Sequence, residues 1–359
     1  LTPFGKGAIA CRTAQAIAHL IKAQLIALEA VMTQKILVLG GHGFMGKSLV
    51  KVLDAAGYEA IALSRRNGLD LCAYDATEYF LKRYQPDVIV NLAAHVGGLP
   101  YVFKRHAVIL SDNVQMALNL YRAIGNVCPT STVINPLSNC AYSAQAETYI
   151  ESDWLKGDVH PSVYSYGNAK RFIYTLAAAY RLQFGIETRH FLIPNVFGPG
   201  DSTEATKVHA LNGMIIRMLK AQKEKQPFFE IWGSGKPMRE WIYVEDVANL
   251  LTMAIEQNLP LSEPLNLAQG KEYSIQQSAE LIAQAVGFSG KLVLCPDYPD
   301  GAARKIMDTQ RFQQVFGNYR FTDHYAAICQ TVDYYRSVLF EPKRERAMAD
   351  DIYRRVLLS

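Results

Sequence analysis

Two side chains with reactive potential stand four residues apart: the phenol of Tyr166 and the ammonium of Lys170, in Tyr166-Gly-Asn-Ala-Lys170. On a helix this spacing puts both on one face. A free phenol titrates near 10, so a neighbouring ammonium is what lets a tyrosine exchange a proton with a carbonyl oxygen near neutral pH. A hydroxyl that could polarise the same carbonyl, Ser138, closes the segment Asn135-Pro-Leu-Ser138 upstream. The trio reads as a ketone reductase's proton-handling set. Taken alone, Tyr-x-x-x-Lys also fits a packing aromatic beside a solvated charge, so its weight comes from the rest of the chain.

A glycine loop supplies that context, in two readings. Gly41-x-x-x-x-Gly46-Lys47-Ser48 is a phosphate-binding P-loop pattern, with Lys47 and Ser48 serving phosphates and magnesium. Gly40-x-x-Gly43-x-x-Gly46 is a dinucleotide loop, in which glycines allow a tight turn and close approach of backbone to pyrophosphate. An NTPase needs a second strand ending in an acid to hold magnesium, whereas the segment Asp87 to Asn91 ends in Asn. That favours the dinucleotide. At the end of the second expected strand stands Ser64-Arg65-Arg66, where an arginine rather than an acid suits a 2′-phosphate, hence NADP(H).

The elements that must carry these residues alternate. Lys35 to Gly40, Glu59 to Leu63, Asp87 to Ala93, Ser131 to Asn135 and Glu187 to Ile193 read as strands. Between them Phe44 to Ala56, Ala76 to Tyr84, Ser111 to Ile124 and Asn168 to Phe184 read as helices, the last closed by Gly185. Alternation over this length implies an α/β fold with a doubly wound parallel sheet of Rossmann type, binding ligands at the carboxyl ends of its strands.

Composition sets outer limits. With 359 residues, 50% apolar and 19% charged, the chain is expected to be globular rather than disordered. A formal charge of +4 without one-sided clustering gives no nucleic-acid footprint. The basic stretches Arg217 to Lys225 and Lys343 to Arg355 read as solvated helix faces. Six scattered cysteines, without a C-x-x-C pair, suggest reduced thiols and no metal site. No uncharged apolar run is long enough for a membrane span. Residues 1–31 are helix-prone but interrupted by charge and are expected to be an extension or tag, with a globular chain able to begin at Met32.

Six segments add a resemblance: Leu92-Ala-Ala-His-Val-Gly-Gly-Leu99, Ser138-Asn-Cys-Ala-Tyr142, Tyr166-Gly-Asn-Ala-Lys170, Pro194-Asn-Val-Phe-Gly-Pro199, Trp232-Gly-Ser-Gly-Lys-Pro-Met-Arg-Glu240 and Pro299-Asp-Gly-Ala-Ala-Arg-Lys305. From about Lys35 to Val338 the chain resembles the extended short-chain dehydrogenases/reductases, and within them the GDP-L-fucose synthase family. That resemblance implies 3,5-epimerisation and NADPH-dependent 4-reduction of a GDP-4-keto-6-deoxy sugar. It assigns the reductive triad to Ser138, Tyr166 and Lys170 and the epimerising pair to Cys140 and His209, the latter 14 residues after Asn195. For the cofactor it implies Gly40, Gly43, Phe44, Met45, Gly46, Arg65, Leu92, Ala93, Ala94, Tyr166, Lys170, Pro194 and Val196. For the substrate it implies Asn195, Arg217, Trp232, Arg239 and Lys305.

It further implies a cytoplasmic homodimer. The expected division is an NADP-binding domain at 32–194 with 241–262 returning to it, a substrate domain at 195–240 and 263–340, and a C-terminal helix at 341–359. Asn139 and Ser143, in the loop of Ser138 and Cys140, and the stretch Gly200 to Thr206 depart from the family's usual pattern. These departures keep open a 4-keto reductase of another nucleotide sugar, a GDP-heptose or dideoxyhexose, with partial or no epimerase activity. A non-catalytic dinucleotide sensor is disfavoured by the retained triad.

Overall fold

A computed structural model describes residues 34–340 except 260, 262 and 299. The stretches 1–31 and 341–359, with Lys343 to Arg355, lie outside the described residues.

The first strand, β1 (Ile36–Leu39), is buried on both sides. Ile36 and Val38 point into one apolar cluster and Leu37 and Leu39 into another, the period-two alternation of a strand covered on both faces. After the turn Gly40 to Gly43 comes α1 (Phe44–Ala55), followed by β2 (Ala60–Leu63), α2 (Tyr74–Tyr84), β3 (Val88–Asn91), a short α3 (Leu99–Phe103) and α4 (His106–Val127). Then come β4 (Thr132–Ser138), α5 (Tyr164–Phe184), β5 (Thr188–Ile193), β6 (Asn195–Phe197) and α6 (Ala210–Lys223). The remainder is β7 (Phe228–Trp232), β8 (Met238–Tyr243), α7 (Val244–Glu256), β9 (Leu265–Asn266), β10 (Glu272–Ser274), α8 (Ile275–Val286), β11 (Lys291–Cys295), β12 (Arg304–Lys305), α9 (Gln310–Phe316) and α10 (His324–Phe340).

Six parallel strands form the main sheet in the order β2-β1-β3-β4-β5-β9. Chain direction across the sheet reverses at β1 and β3, which opens a crevice beyond their carboxyl ends. Leu49 and Leu53 of α1 and Val247 and Leu251 of α7 cover one face. Leu81 of α2, Leu120 and Ile124 of α4 and Ala177 of α5 cover the other. Each such buried leucine, isoleucine or valine contributes about 2 kcal/mol of transfer free energy. A second sheet joins β6, β10 and β12 to β8, and β7 pairs with β11. Its core lies among α6, α8 and α10.

The alternating doubly wound sheet agrees with the sequence reading, and several boundaries move. The strand expected to end at Asn135 continues through Pro136 to Ser138. The β3 ladder stops at Ile134, so Pro136 has only β5 as a neighbour, an edge-like position where a missing N–H is tolerated. Helix α5 begins at Tyr164, four residues before Asn168, because the turn Pro161 to Val163 leads straight into it. His209 stands at the N-cap position of α6. The P-loop reading fails on geometry. Only Gly40 to Gly43 separate β1 from α1, and Lys47 falls inside the helix rather than at its start.

Candidate active site

The glycine turn explains how α1 can aim at the crevice. Gly40 adopts φ +74°, and a side chain on it would meet the backbone of Leu92 and Ala93. Gly46, in the first turn of α1, packs on the Gly40 carbonyl so closely that a Cβ has no room. Gly41, which belongs to the P-loop pattern but not to the dinucleotide one, is pressed against Ala62 of β2.

Two connected cavities open over these loops. One, of about 310 Å³, is lined by Ser138, Cys140, Tyr166, His209, Arg239 and Lys305. Gly40, Gly43, Phe44, Met45, Gly46, Leu92, Ala94, Pro194, Asn195 and Val196 complete its wall toward the sheet. The other, of about 550 Å³, holds Ala93, Arg65, Arg66, Ser64, His42 and Asp70. Gly40, Gly43, Leu92, Ala94 and Val96 border both, so one extended ligand can run from one to the other under the glycine turn.

The reactive groups converge from four elements. Ser138 ends β4, and its Oγ accepts the Cys140 N–H at 3.2 Å, which folds the chain into the short 3₁₀ turn carrying Cys140. Tyr166 enters from the first turn of α5. Gly167 makes this approach possible, because a side chain there would collide with the Cys140 carbonyl. Lys170 is buried and sits one turn below. Its Nζ donates to the Pro136 carbonyl at 3.0 Å and lies 5.5 Å from the Tyr166 ring centre. Burial pulls Lys170 down to about 8. Burial, and then the charge of Cys140, pushes the Tyr166 phenol above its ordinary value. The sequence reading has the ammonium draw the phenol down toward phenolate. Burial acts on the phenol in the opposite direction, favouring the protonated form that a proton donor needs.

Around Cys140 the charge is positive: Lys305 Nζ lies 3.8 Å from its Sγ, and Arg239 is close enough to feel it. His209, across the cavity, packs near Phe44, with ring centres 5.7 Å apart.

The larger cavity fits a 2′-phosphorylated dinucleotide. Ser64 caps the 3₁₀ turn Arg65–Asn67 by accepting the Arg66 N–H, and this holds two guanidinium groups at the cavity wall. The ring of His42 lies 3.0 Å from Ser64 Oγ. Burial, and then Arg66 and Lys47, lowers its pKa. An adenosine phosphate would meet these donors beside the glycine turn, whose backbone is bare enough for a pyrophosphate.

Arg217 and Trp232 line neither cavity. They form a separate stack with Tyr298: the Arg217 guanidinium lies 4.0 Å over the Trp232 ring, and Tyr298 stacks on Trp232 at 5.1 Å and 18°. Arg217 is therefore half-buried against aromatic rings rather than on a solvated face. Trp232 and Tyr298 remain 46% and 47% exposed. Asp300 ties this stack to the loop after Trp232, accepting from Ser234 N at 3.0 Å and Ser234 Oγ at 2.6 Å.

Three residues escaped the sequence reading: His42, Tyr298 and Asp201, the last hydrogen-bonded to His209. All three depend on loops that only the fold brings together.

Comparison with known proteins agrees with this geometry. The chain matches the NAD dependent epimerase/dehydratase family over residues 36–268. It is 30% identical to a probable GDP-L-fucose synthase of Drosophila melanogaster, over 84% of this chain and 97% of the relative. It is also 30% identical to the GDP-L-fucose synthase of Dictyostelium discoideum, over 86% and 97%. Among solved structures, a GDP-L-fucose synthetase from Naegleria fowleri bound to NADP superposes with a TM-score of 0.77 at 26% identity, covering 87% of this chain and 97% of that one. The chain belongs to the NAD dependent epimerase/dehydratase family, in the group of the GDP-L-fucose synthases.

Proposed function

We propose that this protein converts GDP-4-keto-6-deoxy-D-mannose to GDP-L-fucose by epimerising C3 and C5 and then reducing C4 with NADPH. The observation that carries this reading is the sharing of one cavity by Cys140, His209, Tyr166 and Ser138, open to a second cavity faced by Arg65 and Arg66. A C4 ketone acidifies the hydrogens on C3 and C5. Cys140, held among cations, and His209 remove and return those protons from different sides of the ring. Inversion at each carbon follows when the returning proton comes from the face opposite the one deprotonated.

When held beneath the glycine turn by Gly40, Gly43 and Arg65, NADPH would supply the hydride for C4. Ser138 orients the C4 oxygen and Tyr166 gives it a proton, leaving an alcohol. Lys170, positive below about 8, lies under the Tyr166 ring and supports the phenolate left behind. Lys305 and Arg239 hold the sugar and its phosphates, while Arg217 and Trp232 hold the nucleotide end. Asn195, whose Nδ2 donates to the Glu240 carbonyl at 3.0 Å, fixes the strand turn beside the sugar.

The six-stranded unit takes the cofactor and residues 195–240 with 263–340 the substrate, apart from β9, which completes the larger sheet. No helix among the described residues is long and apolar enough to cross a membrane. A homodimer joined through α4 and α5, whose Leu118 and Leu182 are exposed, and a cytoplasmic site of action complete the reading. The test is NADPH oxidation with GDP-4-keto-6-deoxymannose, followed by product analysis. GDP-L-fucose is the expected product. A D-sugar alcohol, or turnover confined to a GDP-keto-heptose, would replace this reading with the plain 4-keto reductase.

A further inference from the structure

His209 is the N-cap of α6, yet its side chain does not cap the helix. Its hydrogen bonds go backward, into the loop between β6 and α6. There Asp201, with a side chain 5% exposed, sends one carboxylate oxygen to the whole start of the helix. Asp201 Oδ2 accepts the His209 backbone N–H at 2.9 Å and Asn212 Nδ2 at 3.1 Å, and lies 3.0 Å from His209 Nδ1. Asp201 Oδ1 accepts the Ser202 N–H at 2.8 Å. Asn212 is itself fixed, its Oδ1 accepting the Gly198 N–H at 3.1 Å. Burial alone would raise the Asp201 carboxyl, but the hydrogen bonds and charge of His209, with Asn212, hold it below its ordinary range.

An ionised carboxylate only accepts. The proton shared between Asp201 and the imidazole must therefore sit on Nδ1, and Nε2 is left as the atom free to take or give a proton. We propose that Asp201 is a positioning residue for the epimerisation: it fixes His209 as the Nδ1-protonated tautomer and turns Nε2 toward the substrate carbon. The link to epimerisation rests on the function proposed above; the tautomer does not. Carboxylate-held imidazoles act this way in other proton-transfer sites, where an Asp-to-Asn change keeps the shape but offers an N–H to the ring and selects the wrong tautomer.

The test is nitrogen NMR of the full-length protein with labelled histidine at about pH 8.5, above the ordinary imidazole range, with His209 assigned from a His209→Gln sample. The expected result is an Nδ1-protonated neutral ring in the parent and an Nε2-protonated ring in Asp201→Asn. Deuterium uptake from heavy water into GDP-4-keto-6-deoxymannose should then fall about 10²- to 10⁴-fold in the variant, with NADPH affinity within about twofold of the parent. An Nε2-protonated ring in the parent overturns the proposal without recourse to any variant. So does an Asp201→Asn variant with unchanged tautomer, or one that loses NADPH binding and exchange together. If the tautomers are as expected but the parent itself takes up no deuterium, the positioning holds and the assigned substrate fails.

Discussion

Gly167 in α5 is pressed against the carbonyl of Cys140, with no space for a Cβ between them. The contact locks the helix that carries Tyr166 to the turn that carries Cys140, so the proposed reductive and epimerising groups share one joint. Gly167→Ala should cost about 1–3 kcal/mol, typical of overpacking. Melting temperature should fall by a few degrees, and proton exchange and reduction should fall together. A variant with parental melting and a loss confined to one of the two steps would show that the joint does not couple them.

Tyr166 and Cys140 should nevertheless separate when each loses only its reactive atom. Tyr166→Phe keeps the packing of the ring and removes the proton donor, so C4 reduction should drop about 10²- to 10⁴-fold. Exchange of substrate protons with solvent should remain within severalfold of the parent. Single-turnover NADPH oxidation alongside isotope exchange measures both. Unchanged reduction in this variant would remove Tyr166 from the chemistry.

Arg65 and Arg66 face the larger cavity from a turn capped by Ser64. A charge-assisted hydrogen bond contributes about 1.5–3 kcal/mol, so Arg65→Ala should weaken NADPH binding about 10- to 100-fold. NADH binding, which lacks the 2′-phosphate, should change little. Fluorescence titration with both cofactors checks this, and equal losses for the two would place the phosphate elsewhere.

Lys170 makes the stability depend on alkaline pH. Burial holds it at about 8 in the native state against an ordinary 10.5. The native protein therefore sheds a proton before the unfolded chain does. Below about 8 the penalty for the buried charge is fully present, and it disappears as pH rises from 8 toward 10.5. The shift corresponds to as much as about 3 kcal/mol. In denaturant melts, the stability difference between parent and Lys170→Met should move in the parent's favour across that window. A difference independent of pH would mean that Lys170 is not held near 8.

Much of this was legible in the chain itself because it depends on local periodicity. The apolar runs at β1, β3 and β5, the glycine turn, and the spacing of Tyr166 and Lys170 each signal their role within a few residues. What escaped depends on distant pieces meeting. Asp201 and His209 are joined by a loop with no repeating pattern. Tyr298 reaches Trp232 only because β11 lies beside β7. The start of α5 was missed because Tyr164 and Tyr166 break the apolar period while the turn before them sets the helix going. The direction of the Tyr166 shift escaped for a related reason: spacing shows that an ammonium is near, whereas the burial that raises the phenol appears only once the chain is folded.

The central claim is that one cavity performs both proton exchange on carbon and ketone reduction. Incubating the protein with GDP-4-keto-6-deoxymannose and NADPH in heavy water, then reading the product by NMR, tests it in a single sample. The expected product is an L-sugar carrying deuterium at C3 and C5 and protium from NADPH at C4. Reduction to a D-sugar with no deuterium on the ring would contradict the account.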